Sequence, residues 1–103
     1  MIKATVYDVD GTSVQILPNN GKSFTLKELQ GVVGGLIEII RLPETKEIII
    51  VNEEGLLKHL PHNAVASAIW RKAYPIEKYP HNNLAHTIGI VGNAIVCPAS
   101  MVR

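Results

Sequence analysis

Cysteine is nearly absent from this sequence, since Cys97 is the one cysteine among 103 residues. A single cysteine forms no internal disulfide, so the fold has to hold together without covalent cross-links. Long apolar runs are also missing, and the first residues lack the basic-then-apolar layout of a signal peptide. These absences predict a protein without a membrane-spanning segment that works in a reducing cytoplasm.

An excess of charge of either sign is lacking as well, because ten Lys and Arg residues against nine Asp and Glu residues leave a net charge of +1. This balance gives no strong signal for nucleic-acid binding. Aromatic residues are few, at 5%, but 47% of the residues are apolar, which is enough for a core and argues against disorder. No shift in composition marks a boundary, so residues 1–103 are predicted to form a single domain.

Strand-forming residues and turn residues predict a mostly antiparallel sheet of about five strands. The first four predicted strands cover residues 2–9, 13–17, 36–42 and 47–52. Asp10 and Gly11 suit a two-residue hairpin turn between the first pair. Residues 48–51 are apolar on both faces, which is typical of a central strand that is covered on both sides. Residues 79–86 resemble a polar loop, and residues 87–97 hold either a final strand pair or one bent strand.

Two helices are predicted. Thr25 and Glu28 have the spacing of a capping box, and Gly34 or the glycine after it ends the first helix. Asn63 is a plausible N-cap for the second helix, which Pro75 stops. We expect both helices to pack on one face of the sheet, which makes the fold class α+β.

Several polar residues stand at unusual positions. Glu38 interrupts an apolar strand, where a carboxylate has to face solvent, meet a cation or accept hydrogen bonds. A symmetric hairpin places Ile37 opposite Asn52, so Glu38 and Asn52 face opposite sides unless a bulge intervenes. The simplest interpretation makes Glu38 and Glu53 solvated carboxylates and Asn63 a helix cap.

Histidines offer a catalytic alternative. His59 and His62, together with Glu53 or Glu54, have the residue types of a small hydrolase that uses a general base. No cysteine pair and no His-Glu-x-x-His pattern accompanies them, so we expect neither a metal nor a cofactor. Trp70 is either a core residue or a stacking surface for a base or a partner.

Four blocks stand in a fixed order between residues 25 and 96. They are LxxLQxxVGGxIE from Leu26, VNEEGxL from Val51, LPxN from Leu60 and IVGxA from Ile90. In these blocks the chain resembles a small family of unknown function that is found in bacteriophages, plasmids and Gram-positive bacteria. The family has no established activity, so what the resemblance implies is a setting: a mobile-element protein in the cytoplasm of a host cell.

The resemblance directs attention to polar and glycine residues that a core does not require. They are Gln30, Gly34, Gly35, Glu38, Asn52, Glu53, Gly55 and Asn63. Small phage proteins without catalytic groups often act by binding, so by analogy we expect a homo-oligomeric ligand-binding protein that sequesters a nucleotide-like host immune signal. In this anti-defence hypothesis the backbone amides of the paired glycines receive an anion, and the remaining side chains bind hydrogen-bonding edges.

Two alternatives stay open. The protein is instead an inhibitor that binds a host enzyme, in which case it presents an exposed apolar patch and no polar pocket. Or it is the small hydrolase described above, in which case a histidine and a glutamate meet in a cleft.

Overall fold

The computed structural model describes residues 4–81 and 83–102 of the chain. Its elements are β1 (Ala4–Tyr7), β2 (Ser13–Ile16), α1 (Leu26–Val33), β3 (Ile37–Arg41), β4 (Glu47–Asn52), α2 (Ala64–Ala73), α3 (Leu84–Thr87), β5 (Ala94–Pro98) and a 3-10 turn (Ala99–Met101). Ile2 and Lys3, which the sequence predicts to begin the first strand, lie outside the described residues. Within the described part of the chain, no helix has both the length and the apolar character that a membrane crossing requires.

The strands form one antiparallel sheet in the order β2-β1-β5-β4-β3. The two predicted hairpins are the two halves of this sheet, and β5 joins them. Val96 of β5 lies opposite Thr5 on one side and Ile49 on the other. The predicted α+β class with about five mostly antiparallel strands is therefore confirmed, and residues 87–97 contribute one strand.

The two longer helices lie on opposite faces of this sheet, so the prediction that both pack on one face is wrong. The apolar stripe of α1 is buried in a cluster with Ile48 and Ile50, and α2 packs against a second cluster with Ile49 and Val51. Successive side chains of a strand point to opposite faces. A strand that is apolar on both faces therefore needs a covering layer on each side, and burial of each isoleucine contributes about 2 kcal/mol.

The helix ends follow the local signals in the sequence. The Thr25 hydroxyl accepts from the amide of Glu28 at 3.1 Å, and the Glu28 carboxylate accepts from the amide of Thr25 at 2.9 Å, which confirms the capping box. Gly34 ends α1 in the left-handed conformation, with φ of 82°. The second helix ends at Tyr74, directly before Pro75.

The first hairpin has a three-residue loop instead of the predicted two-residue turn. The amide of Asp8 donates to the carbonyl of Thr12 at 2.9 Å, and the amide of Gly11 donates to the carbonyl of Asp8 at 3.1 Å. Gly11 has φ of 92°. A type I turn followed by a left-handed glycine is the usual three-residue solution, and it needs one positive φ where the two-residue type I′ turn needs two.

The predicted polar loop at residues 79–86 is wrong in part, because α3 begins at Leu84. Contacts from other segments hold this short helix in place. The Arg71 side chain donates to the carbonyl of Ala85 at 3.1 Å, and the Asn83 side chain donates to the carbonyl of Tyr74 at 2.9 Å. A helix of four residues has little stability by itself, so its formation depends on these tertiary contacts.

Candidate binding cleft

A cleft of about 160 Å³ opens on the α2 face of the sheet, between β3, β4, α2 and the segment that runs from α3 to β5. Its apolar wall consists mainly of Ile40, Val51, Trp70, Leu84, Ile88 and Ile90. Leu56, Leu84 and Ile88 keep much of their surface in contact with solvent. The cleft therefore offers apolar surface that the fold itself leaves uncovered.

Two carboxylates, those of Glu38 and Glu53, lie at this cleft. Glu38 pairs with Val51 across β3 and β4, so its side chain points to the α2 face as Val51 does. Both glutamates are exposed. Within the described residues, neither carboxylate has a Lys, Arg or His nitrogen within 4.0 Å, whereas Glu54 has Lys58 at 3.8 Å. The cleft therefore combines an apolar wall with two acidic groups that are free to meet a cation.

Asn52 also borders the cleft, but its side chain is used by the fold. The register places Ile37 opposite Asn52, so its side chain points to the α1 face, away from that of Glu38, as the symmetric hairpin predicts. Its amide group donates to the carbonyl of Val33 at 3.0 Å, and its carbonyl oxygen accepts from the amide of Glu54 at 2.8 Å. Asn52 therefore ties the end of α1 to the turn after β4.

The paired glycines cap α1. The amides of Gly34 and Gly35 donate to the carbonyl of Gln30 at 2.8 and 3.2 Å. The expectation that these amides receive an anion is therefore wrong, since their hydrogens are already used and a helix C-terminus carries partial negative charge. A Cβ atom at Gly35 would lie 3.1 Å from Nδ2 of Asn52 and 3.0 Å from Nζ of Lys58, so the glycine permits a close approach between two segments.

Asn63 is fully buried beneath the start of α2. Its side-chain oxygen accepts from the amide of Ala66 at 3.0 Å, which confirms the predicted N-cap. Its side-chain nitrogen donates to the carbonyls of Tyr7 and Gly92, each at 2.9 Å. One side chain thus joins α2, the end of β1 and the turn before β5.

The eight residues of the four blocks therefore occupy different places in the structure. Glu38, Asn52 and Glu53 border the cleft. Gln30 and the paired glycines lie at the end of α1, and Asn63 is buried in the interior. Gly55 packs closely against Val91, since a Cβ atom at Gly55 would lie 2.8 Å from Cγ2 of Val91. Their predicted role in ligand binding stays a prediction, but they do not share one cavity.

The described residues do not bring catalytic groups together as the hydrolase hypothesis requires. No histidine lies within 4.0 Å of a carboxylate in this part of the chain, and no three potential metal ligands cluster there. Burial raises the pKa of the Cys97 thiol to about 11, so this thiol stays protonated at neutral pH and is a poor nucleophile.

Sequence reasoning missed the outer wall of the cleft. Leu84 and Ile88 stand four residues apart within a polar segment, which is the spacing of two neighbours on one helix face. That pair was the available signal for α3. Trp70 lies half-buried at the cleft, so it belongs partly to the core, and its role as a stacking surface stays a prediction.

A family model described as a domain of unknown function (DUF3846) matches residues 2–100. The chain belongs to this family. No curated protein and no solved structure gave a match.

Proposed function

We propose that this protein acts by binding, and that its cleft receives a segment of a partner protein that presents an apolar side chain next to a basic one. The observation that carries the proposal is the apolar wall of the cleft with the carboxylates of Glu38 and Glu53 beside it, neither of which has a cationic partner among the described residues. The resemblance to a family of mobile elements suggests an extension of this proposal, in which a host enzyme is the target.

The size of the cleft supports a protein partner. Sites for drug-sized ligands have volumes of about 300–1,000 Å³. The cleft, at about 160 Å³, is smaller than these sites. It has room for one or two side chains, while the exposed Leu56 and Leu84 at its mouth offer further contact to a larger surface.

The charge of the cleft supports a basic group over a phosphate. Two carboxylates at one cleft repel an anion and attract the ammonium of lysine or the guanidinium of arginine. Arginine is the better fit, since its planar group binds a carboxylate through two hydrogen bonds and stacks on an aromatic ring such as that of Trp70.

A nucleotide-like ligand is the second candidate, and Trp70 is the observation that favours it. An aromatic ring at a cleft can stack on a base, and Glu38 can accept a hydrogen bond from an exocyclic amine or a ribose hydroxyl. On this proposal the base and sugar occupy the cleft and any phosphate points to solvent, away from the two carboxylates.

A random-sequence peptide library separates the first candidate from non-specific adhesion. We expect the wild-type protein to select peptides with Arg or Lys next to a large apolar residue. A Glu38→Gln, Glu53→Gln double variant keeps the shape of both side chains but removes their charge, and we expect it to bind the selected peptides about tenfold more weakly. Glu77→Gln, which changes an exposed glutamate away from the cleft, serves as the matched control. Selection that ignores both charge and apolar side chains would contradict the proposal.

Adenosine and AMP test the second candidate in a thermal-shift measurement. The nucleotide proposal predicts stabilisation by adenosine that is lost on Glu38→Ala, which removes the hydrogen-bond acceptor, and no stronger stabilisation by AMP, because its phosphate points to solvent and gains no contact. No shift with either compound removes the nucleotide candidate and leaves the peptide result unaffected.

A further inference from the structure

Strand β2 forms one edge of the sheet, and its outer side has no partner strand in the described part of the chain. The hydrogen bond from the amide of Asp8 to the carbonyl of Thr12 fixes which residues of β2 bond to β1. Bonded pairs alternate along an antiparallel ladder, so Val14 and Ile16 bond inward. The amide and carbonyl groups of Ser13 and Gln15 therefore point outward, where they can pair with another strand.

The outer edge of β2 lacks the features that usually prevent strand pairing. Proteins protect exposed edges with charged residues, proline, bulges or covering segments. Residues 13–17 contain neither charge nor proline. Val14 and Leu17 keep 54% and 73% of their surface exposed.

The opposite edge of the sheet, at β3, is protected. It carries the charged residues Glu38 and Arg41, and the Tyr74 hydroxyl donates to the carbonyl of Arg41 at 2.8 Å, which occupies one outward-pointing group. The two edges thus differ in both charge and cover, and only β2 is open along its length within the described residues.

We propose that a second copy of this chain pairs with β2 through its own β2, antiparallel, about a twofold axis that passes between the two Gln15 residues. In this register Val14 lies beside Ile16 of the second copy, on the face where Ile16 already contacts the α1 cluster. Ser13 lies opposite Leu17, and the two Gln15 residues exchange backbone hydrogen bonds.

The composition of β2 favours a second copy over a different strand. The twofold axis places apolar side chains against apolar ones on the α1 face, while the two glutamines, which are both donors and acceptors, meet on the other face. No like charges oppose each other, because residues 13–17 are uncharged. The dimer is a continuous sheet of ten strands.

The short strand limits the strength of this association. Because β2 has four residues, the interface is small and the dimer should form and dissociate reversibly. The β3–β4 side of the sheet and the cleft stay free in both copies. The inference does not depend on the proposed function, since the cleft lies at the opposite end of the sheet.

Sedimentation velocity over a dilution series tests the dimer. We expect the average mass of the wild type to rise from one chain towards two chains with concentration. Gln15→Pro removes an outward amide and leaves the bonds to β1 intact, so this variant should stay at the mass of one chain at every concentration. Gln15→Thr keeps the amide and suits a strand, so it should associate as the wild type does. Urea denaturation confirms that both variants are folded.

Charged substitutions at residue 15 test the register of the dimer. They also test the dimer itself if Gln15→Pro turns out to destabilise the fold. Gln15→Lys and Gln15→Glu place like charges opposite each other, so each variant alone should associate about fivefold more weakly than the wild type. An equal mixture should recover association through a Lys–Glu pair. A wild type that stays at the mass of one chain at every concentration would overturn the proposal, and the edge would then be available only to a strand of another protein. A mixture that associates no better than either charged variant alone would also overturn it.

Discussion

The interior asparagines and the cleft glutamates are both polar residues of the four sequence blocks in this chain, but their surroundings are opposite. Asn52 and Asn63 are buried, and each bonds to segments that are distant in sequence. Glu38 and Glu53 are exposed and have no cationic partner within the described residues. The two kinds of residue differ in unused hydrogen-bonding capacity. The asparagine side chains form hydrogen bonds within the fold, whereas the glutamate carboxylates are available to a partner.

This comparison separates stability from binding at the level of single residues. Removing a side chain that satisfies buried backbone groups exposes those groups to an apolar environment without partners, which is costly. Removing an exposed and unpaired carboxylate leaves nothing unsatisfied in the fold. Substitutions at the two kinds of position should therefore differ in which property they change, the stability of the fold or the affinity for a partner.

Asn63→Ala should be the most destabilising of these substitutions, by about 3 kcal/mol. It removes the N-cap of α2 and leaves the carbonyls of Tyr7 and Gly92 without their donor. The free energy of unfolding from urea denaturation measures the loss. Asn63→Ser is the control, since its hydroxyl can cap the helix but is too short for both carbonyls, and we expect it to recover about 1 kcal/mol. Equal stability of the two variants would show that the cap contributes little.

Asn52→Ala should cost about 2 kcal/mol, because it leaves the Val33 carbonyl and the Glu54 amide without partners. The neighbouring Glu53→Ala is the matched control, and its effect should stay within about 0.5 kcal/mol. Urea denaturation of both variants under the same conditions gives the comparison directly. A larger loss of unfolding free energy for Glu53→Ala than for Asn52→Ala would show that Glu53, and not Asn52, stabilises the fold.

The features of the fold that depend on neighbouring residues could be predicted from the sequence. The capping box at Thr25 needs one side chain three residues away, and the register that places Ile37 opposite Asn52 follows from a symmetric turn. The two helix stops have similar local causes, a left-handed glycine at Gly34 and a proline after Tyr74.

The candidate site was less predictable because its geometry depends on distant contacts. The hydrogen bond that holds α3 at the cleft runs from the Arg71 side chain to the carbonyl of Ala85 across 14 positions, and no local pattern encodes it. The placement of α1 and α2 on opposite faces was implied by the apolar run of β4, but the sequence does not state which helix covers which face. Strand alternation did predict that Glu38 and Asn52 point to opposite sides, which separates the cleft from the α1 cap.

Glu28 differs from the cleft glutamates, because it is a half-buried residue whose carboxylate accepts hydrogen bonds that stabilise the fold. Hydrogen bonds from the amides of Thr25 and Asn19 hold the pKa of the Glu28 carboxyl below its usual value. A lowered pKa in the folded state means that the carboxylate stabilises the fold at pH values above its ordinary pKa and that this contribution is lost as the pH falls through the lower folded value.

We therefore expect the wild type to be more stable than Glu28→Gln at neutral pH, and the difference to shrink as the pH falls below about 4. Urea denaturation at a series of pH values measures this difference. The same series with Glu38→Gln is the control, because the described structure gives the Glu38 carboxylate no comparable donors. A wild-type advantage over Glu28→Gln that does not change with pH would show that the carboxylate charge is not involved.

Glu38→Thr should have the smallest effect on stability, within about 0.5 kcal/mol, although it changes a charged residue in a strand. Glu38 is exposed at the edge of the sheet, and threonine suits a strand, so no residue that the structure describes loses a hydrogen bond or an ion pair. The same substitution should weaken binding of the selected basic peptides by about threefold, less than the loss of both charges, because it removes one of the two carboxylates at the cleft. Urea denaturation and peptide affinity, measured on the same preparation of the variant, give the change in stability and the change in binding together. A loss of stability as large as that of Asn52→Ala would make Glu38 a residue of the fold and move the binding surface elsewhere.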